Sequence, residues 1–288
     1  MHSQVVSLPF GATLHTNGGD AFALRAPAMD QVVLEHAPRD RYSDYPMRRD
    51  ARGESCAGLP LNAYVSFLQS HHQIGNRAHS ERLHQLADPL QVCTALACIM
   101  LSPHAPMLFM GEEFAASTPL PYFCDCGPEL GPQVAEGRRA EIGRLAEFAS
   151  AAAQATIADP NAPSSMAASR PRWDELQHTP HREGFAFVRT LLAVRRTHRF
   201  DLLQDGCHDS QADCAADTIR VRWSLGTSGR SVAGPLHLLA HFGAEPVVNV
   251  APLPGRLLYA NDIDNSDSSS WSLAAGAVAL TVERVRHG

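Results

Sequence analysis

The sequence lacks an excess of positive charge: 24 Lys and Arg stand against 30 Asp and Glu, a formal net charge of −6 over 288 residues. Its arginines are scattered rather than striped along one face, so no basic field gathers phosphates and nucleic acid is not expected as a partner. No apolar run is long enough for a membrane. The greasiest stretch, PLQVCTALACIMLSP, is broken by Gln91 and Thr94 and falls short of the roughly 20 apolar residues that span a bilayer; it reads as a buried helix. The opening MHSQVVSLPFGATLH has no basic n-region followed by an apolar h-region, which leaves no secretory signal and points to the cytoplasm. A disulfide framework is missing too: seven cysteines are an odd number spread along a long chain. Cys124 and Cys126 form C-x-C rather than C-x2-C, with no second pair at ligand spacing. They read as small, partly buried thiols, a metal site being the lesser alternative. There is no G-x-S-x-G nucleophile elbow and no internal repeat.

What is present suits a soluble protein with a core, since 44% of residues are hydrophobic and 19% charged. At this length the chain holds one large domain or two ordinary ones. The runs AFALRA and QVVLEH, punctuated by NGG and AP, carry strand and turn chemistry and look like the start of a β-sandwich. It breaks off in polar, turn-rich sequence after about 57 residues, short of the roughly 100 a sandwich commonly needs.

From residue 58 the character changes. AYVSFLQ reads as a strand; apolar residues at 83, 86, 90, 93, 96, 97 and 100 have helical spacing, divided at Pro89; PMLFMGEE reads as a second buried strand ending in acids. Strand, helix, strand is a βαβ unit of parallel-sheet type. A short helix is expected around 134 to 150 and an amphipathic one over 183 to 200, with Phe187, Leu191, Leu192 and Val194 inward and arginines outward. TIRVRWSL, PLHLLAHF, PVVNVA, GRLLYAN and GAVALTVERV are spaced like the strands of an antiparallel sandwich, with Trp223, Leu236, Leu238, Phe242, Val248, Leu258 and Val278 as core candidates and DNSDSSSW as a loop. This last region is expected to be the most autonomous part of the chain.

The blocks LPLNAYVSFLQSHHQIGNRA, APMLFMGEEFAAS, EGRRAE and IADPNAPSSMAASRPRW, in this order, resemble the malto-oligosyltrehalose trehalohydrolases. These are α-amylase-type glycoside hydrolases that release trehalose from the end of a maltooligosyl chain. The N-terminal stretch through YPMRRDARG resembles the start of that family's leading sandwich, where a Trp is usual at the place of Arg25. The resemblance implies a (β/α)8 barrel between two sandwiches, and such a barrel takes roughly 250 residues. Here only strands seven and eight and their helices are matched, as though the rest were deleted near Gly53 to Gly58. The expected fold is therefore α/β plus all-β: residues 1–57 a partial N-terminal β-sandwich, 58–200 a C-terminal remnant of the (β/α)8 barrel, 201–288 a C-terminal antiparallel β-sandwich.

Retaining glycoside hydrolysis needs a nucleophilic carboxylate and a carboxylic acid about 5 to 5.5 Å apart. The family draws these from strands four and five, which have no match in this chain. Its third carboxylate stands in a block usually reading Asn-His-Asp-Gln, which here reads Ser70-His71-His72-Gln73. His71 matches the sugar-contacting histidine. His72 stands in place of the transition-state-stabilising Asp, and an imidazole supplies no fixed negative charge. The resemblance implies substrate contacts at His71, Gln73, Asn76, Arg77 and Glu112 and leaves no catalytic residue in place. Read from the residues alone, Gly75 to Arg77 is a strand-to-helix turn with Asn76 or Ser80 capping the helix, and Glu112 with Glu113 is a solvated pair rather than a dyad. His71, His72, His79 and His84 invite a metal reading, but on a strand the first two would point to opposite faces. No cofactor or metal is expected. The expected partners are maltooligosyltrehalose or a related α-glucan, together with self-association through unpaired strands. The functional readings are a trehalohydrolase homologue inactive as this chain (by family, a 4-α-D-((1→4)-α-D-glucano)trehalose trehalohydrolase), a non-catalytic carbohydrate-binding or interaction module, and a degenerate product with little stable structure.

Overall fold

The computed structural model describes residues 4–7, 13–17, 21–25, 65–145, 148–198, 207–215, 217–225 and 234–283. At the N-terminus β1 (Gln4–Ser7), β2 (Thr13–Asn17) and β3 (Ala21–Arg25) form an antiparallel meander in the order β1-β2-β3, with Val5 opposite His15 and Leu14 opposite Leu24. β3 is the expected AFALRA strand; QVVLEH lies outside the described residues.

The βαβ unit is present in shortened form. β4 (Val65–Ser66) and β5 (Ala105–Pro106) pair in parallel, with α1 (His71–Gly75), α2 (Leu83–Leu86) and α3 (Pro89–Leu101) between them in the chain. Pro89 divides the helical stretch as the sequence indicates: it occupies the first turn of α3, and the Asp88 carboxylate accepts the Leu90 and Gln91 N–H groups at 2.9 and 3.2 Å. The expected strand PMLFM is not formed beyond β5. After one last ladder bond, Met107 N–H to Ser66 O at 2.8 Å, the backbone is claimed by side chains and a turn: Glu112 accepts the Phe109 N–H, Arg82 takes the Met110 carbonyl, and Gly111 turns at φ 83°. The acids thus open a 3-10 turn (Glu112–Phe114) instead of ending a strand.

Further along come α4 (Gly127–Ile142), α5 (Ala151–Gln154), α6 (Pro163–Ala168), a 3-10 turn (Trp173–Gln177) and α7 (His181–Thr197). α4 starts seven residues before the expected 134. Pro128 falls in the first turn, where no N–H is needed, and Pro132 gives up one ladder bond near the start. On α7, Val188 and Leu191 are buried but Leu192 is 45% exposed, a correction to the expected inward set. The covered side runs through buried Val188 and Leu191 to half-buried Arg195, and Leu192 falls off it. Arg195, expected outward, turns in to cap the end of α3, donating to the carbonyls of Met100 (2.8 Å), Ser102 (2.5 Å) and His104 (2.8 Å). Burial pulls its guanidinium down to about 10.

The C-terminal strands β6 (Cys207–Ala215), β7 (Thr218–Leu225), β8 (Leu236–His241), β9 (Val247–Val250), β10 (Arg256–Asp264) and β11 (Trp271–Val282) make one antiparallel sheet. Its order is β10-β11-β8-β7-β6, with β9 also on β11. β6 is absent from the sequence reading. Two separate sheets were expected; the described strands instead share one hydrogen-bonded network. β11 makes this so by changing partner along its length, Trp271 and Leu273 facing β9 while Val278 to Val282 face β8. Every residue of β8 is buried. One set of side chains (Leu239, Leu253, Trp271, Leu273, Ala277, Ala279) forms a core cluster. α3 packs against β8 and β11, where Gln91 donates to the Phe242 carbonyl at 3.0 Å and Thr94 to that of Gly276 at 3.3 Å. Gly276 has φ 77°, and a Cβ there would lie 2.5 Å from Leu90 Cδ1, so glycine is required on both counts. Trp223, Leu236, Leu238, Phe242 and Val278 are buried as expected and Leu258 is half-buried. Val248 is 62% exposed: it sits beside Asn249, whose φ of 58° breaks the strand's two-residue alternation.

The chain divides into two compact units, one of Met1–Leu68, Ala87–Met107 and Phe187–Gly288, the other of Gln69–Leu86 and Leu108–Ala186. No helix among the described residues is long and apolar enough to cross a membrane.

Candidate functional site

The residues singled out from the sequence lie in the second unit. The Ser70-x-x-Gln73 spacing makes a capping box at the start of α1: Ser70 Oγ accepts the His72 N–H at 3.2 Å, and Gln73 Oε1 accepts both the Ser70 N–H (2.8 Å) and hydroxyl (2.6 Å). His71 and His72 are therefore helical rather than on a strand, and successive helical positions point about 100° apart. Both are exposed, with ring centroids 4.2 Å apart. Gln73 is spent on the cap. Asn76 closes the C-terminus of this same helix instead of starting the next one, and Ser80 turns the chain at φ 58°. Arg77 is half-buried and donates to the Glu81 carbonyl at 2.5 Å; burial lowers its pKa.

Glu112 is 7% exposed, not part of a solvated pair. One carboxylate oxygen accepts Gln69 Nε2 at 3.1 Å and the other the Phe109 N–H at 2.9 Å. Burial pushes its pKa up to about 7, against those two hydrogen bonds and the nearby Arg82 charge. Gln69 is itself fixed, accepting the Leu83 N–H at 3.0 Å. Arg82 is wholly buried, with Nε on the Thr118 carbonyl (2.6 Å) and Nη1 on that of Met110 (2.8 Å), while Nη2 has no hydrogen-bond partner. A Cβ on Gly111 would lie 2.6 Å from Ala116 Cβ and 3.4 Å from the Arg82 guanidinium. Close by, burial together with the charges of Arg82 and His181 holds His84 down at about 4.

A second buried carboxylate, Glu175, receives the Ser117 N–H at 3.0 Å, the Ser117 hydroxyl, and Arg172 Nε at 2.8 Å. Burial works to raise its pKa, but the Ser117 and Arg172 bonds prevail and hold it at about 2. Arg138, from α4, reaches the carbonyls of Gly75 (2.7 Å) and Arg77 (3.0 Å) and lies over the Tyr122 ring.

Gln69, Arg82, Arg138 and Glu175 escape the sequence reading. Gln69 and Arg138 stand inside the quoted family blocks, and Arg172 and Glu175 show the i, i+3 spacing of a charge pair. Arg82 gives no signal beyond being a charge beside Leu83. Among the described residues no three His, Cys, Asp or Glu side chains are placed to hold a metal ion.

The chain matches no protein-family model. It is 30% identical over 240 residues to the malto-oligosyltrehalose trehalohydrolase of Mycobacterium tuberculosis, covering 83% of this chain and 39% of that protein. With the enzyme of the same name from Saccharolobus solfataricus it is 42% identical over 105 residues, 36% of this chain and 18% of the relative. The solved structure of a Salmonella typhimurium protein provisionally described as an alpha amylase superposes with a TM-score of 0.69 at 31% identity, covering 83% of this chain and 38% of that one. In sequence and fold alike the chain is thus similar to α-amylase-type proteins. Within that class its relatives are the malto-oligosyltrehalose trehalohydrolases, and it spans about two fifths of the length of the M. tuberculosis one.

Proposed function

We propose that this chain is a trehalohydrolase relative that does not hydrolyse glycosidic bonds by itself. The observation that carries the reading is His72, which the resemblance of Ser70-His71-His72-Gln73 to the family block puts in place of the transition-state carboxylate, and which is exposed at the capped start of α1. Retaining hydrolysis further needs two carboxyl groups facing each other across one bond, about 5 to 5.5 Å apart. Among the described residues of this unit the two buried carboxylates are otherwise engaged, Glu112 with Gln69 and Phe109, Glu175 with Ser117 and Arg172. Glu113 follows Glu112 on the same 3-10 turn and does not oppose it. The short parallel pair β4 and β5 fits the last two strands of a barrel whose earlier strands, with the nucleophile and acid, are deleted near Gly53 to Gly58. A cytoplasmic protein truncated in this way, with strand edges open to self-association, is the reading that joins these features.

The test is His72→Asp. This variant is expected to release no trehalose from maltooligosyltrehalose, because one restored carboxylate does not replace two absent ones. Turnover gained by His72→Asp would overturn the proposal by showing that nucleophile and acid are present.

A second reading, retained α-glucan binding without catalysis, is favoured by exposed rings in the same unit: Trp173 at 59%, with Tyr122 and Phe123 also exposed. Flat aromatic faces with a polar rim suit sugar rings, and the exposed His71 and Asn76 with the half-buried Arg77 would add polar contacts, whereas Gln73 and Glu112 are already engaged. Equilibrium dialysis with maltooligosaccharides tests it: binding weakened by Trp173→Ala supports this reading, and no binding removes it.

A further inference from the structure

The segment Tyr122-Phe123-Cys124-Asp125-Cys126 leads into α4, and nothing described above uses its two thiols. Cys126 occupies the N-cap position of α4 but makes no side-chain capping bond. Both cysteines are free and partly exposed. Cys124 is fixed by its backbone, its N–H donating to the Pro160 carbonyl at 2.9 Å, and its sulfur lies 3.6 Å from Asn161 Oδ1. Asn161 is in turn held to the Gly131 carbonyl at 2.9 Å and to Asp159. One thiol is thus anchored on a turn that is pinned to α4, and the other stands at the N-cap of that helix two residues further on. The two thiols stand two residues apart in the chain, on either side of Asp125.

A metal is a poor occupant, because no third ligand joins the pair among the described residues and a structural zinc takes four. We propose that Cys124 and Cys126 are a reversible thiol-oxidation site, closing to an intramolecular disulfide by exchange with a low-molecular-weight disulfide. In the first step the sulfur of one cysteine attacks the small disulfide RS–SR. The old S–S bond breaks, one RS⁻ leaves and takes up the cysteine's proton as RSH, and a mixed disulfide remains. The second cysteine then attacks the protein-side sulfur of that mixed disulfide, forming the Cys124–Cys126 bond and releasing a second RSH. Two protein thiols are oxidised and one small disulfide is reduced to two thiols. No charge is left behind, which suits a site where the carboxylates of Asp125 and Asp159 add to the burial and the Cys126 contact that hold the Cys124 thiol above its ordinary range. The thiolate is the attacking form, so closure accelerates as pH rises. A ring closed over a single residue departs from relaxed disulfide geometry and reopens readily.

The experiment incubates the full chain in glutathione buffers from reduced to oxidised, quenches by alkylation and maps the peptide holding residues 122 to 127. The wild type is expected to lose two hydrogens in that peptide, with no retained glutathione, and to regain both thiols in reduced buffer. Cys124→Ser and Cys126→Ser are each expected to keep a glutathione adduct on the remaining cysteine, since no resolving thiol is left. A wild type that retains the adduct, pairs either cysteine with a different one, or stays fully alkylatable in oxidised buffer overturns the proposal.

Discussion

Glu112→Gln tests the electrostatics of the candidate site through pH. A carboxyl whose pKa rises from the ordinary 4.5 to about 7 on folding is protonated in the folded chain over a window where the unfolded chain has lost its proton. Its contribution to stability is complete below pH 4.5 and is lost as pH rises through 7. At roughly 1.4 kcal/mol per pH unit, the loss amounts to about 3 kcal/mol. Glutamine keeps an oxygen for the Phe109 N–H and cannot ionise. His84, held at about 4, works in the opposite direction, since a histidine kept neutral by burial adds stability as pH rises through its window. The wild-type profile therefore mixes the two, and the difference between wild type and variant isolates Glu112. Urea unfolding at pH 4.5 and pH 8 is expected to show Glu112→Gln gaining about 3 kcal/mol on wild type across that interval. A flat difference, or a variant that loses ground as pH rises, would refute the reasoning. It would mean that the Arg82 charge outweighs the cost of burying the carboxylate.

Glu175→Gln should behave in the reverse sense. Its folded pKa of about 2 gives stability that is present above 4.5 and lost as pH falls towards 2, and because Arg172 is 62% exposed solvent screens part of it, leaving about 1–2 kcal/mol lost by the variant at pH 7 and a flatter acid limb in urea titrations. Gly276→Ala, which meets both a positive φ and Leu90, should cost about 2–3 kcal/mol by thermal or urea unfolding; adding Leu90→Ala should relieve the steric part when compared with Leu90→Ala alone. Ser70→Ala removes the cap of α1 and is expected to cost about 1 kcal/mol, read by the same titration.

Periodic features were legible in the sequence. The division at Pro89, the run of α7 and five of the six C-terminal strands follow from apolar spacing and punctuation. What was not legible depends on contacts distant in the chain. PMLFM has strand composition, but with side chains of Glu112 and Arg82 taking its backbone groups it turns instead. The GPELGP start of α4 reads as loop because glycine and proline suppress local propensity, yet Pro128 sits where a helix tolerates it. Leu192 and Arg195 exchange the faces assigned to them because only the carbonyls at the end of α3 decide which side of α7 is covered. At the candidate site, the Ser70-x-x-Gln73 spacing held the helix start in plain view, whereas Arg82 is recognisable only once the carbonyls of Met110 and Thr118 converge on it.

The most direct measurement of the central claim is trehalose release by the purified wild-type chain from maltooligosyltrehalose, beside a full-length trehalohydrolase under the same conditions. Release indistinguishable from the uncatalysed background is predicted. Steady trehalose production above it by this chain alone, proportional to its concentration and unaffected by His72→Ala, would contradict the account and place the catalytic carboxylates elsewhere in the sequence.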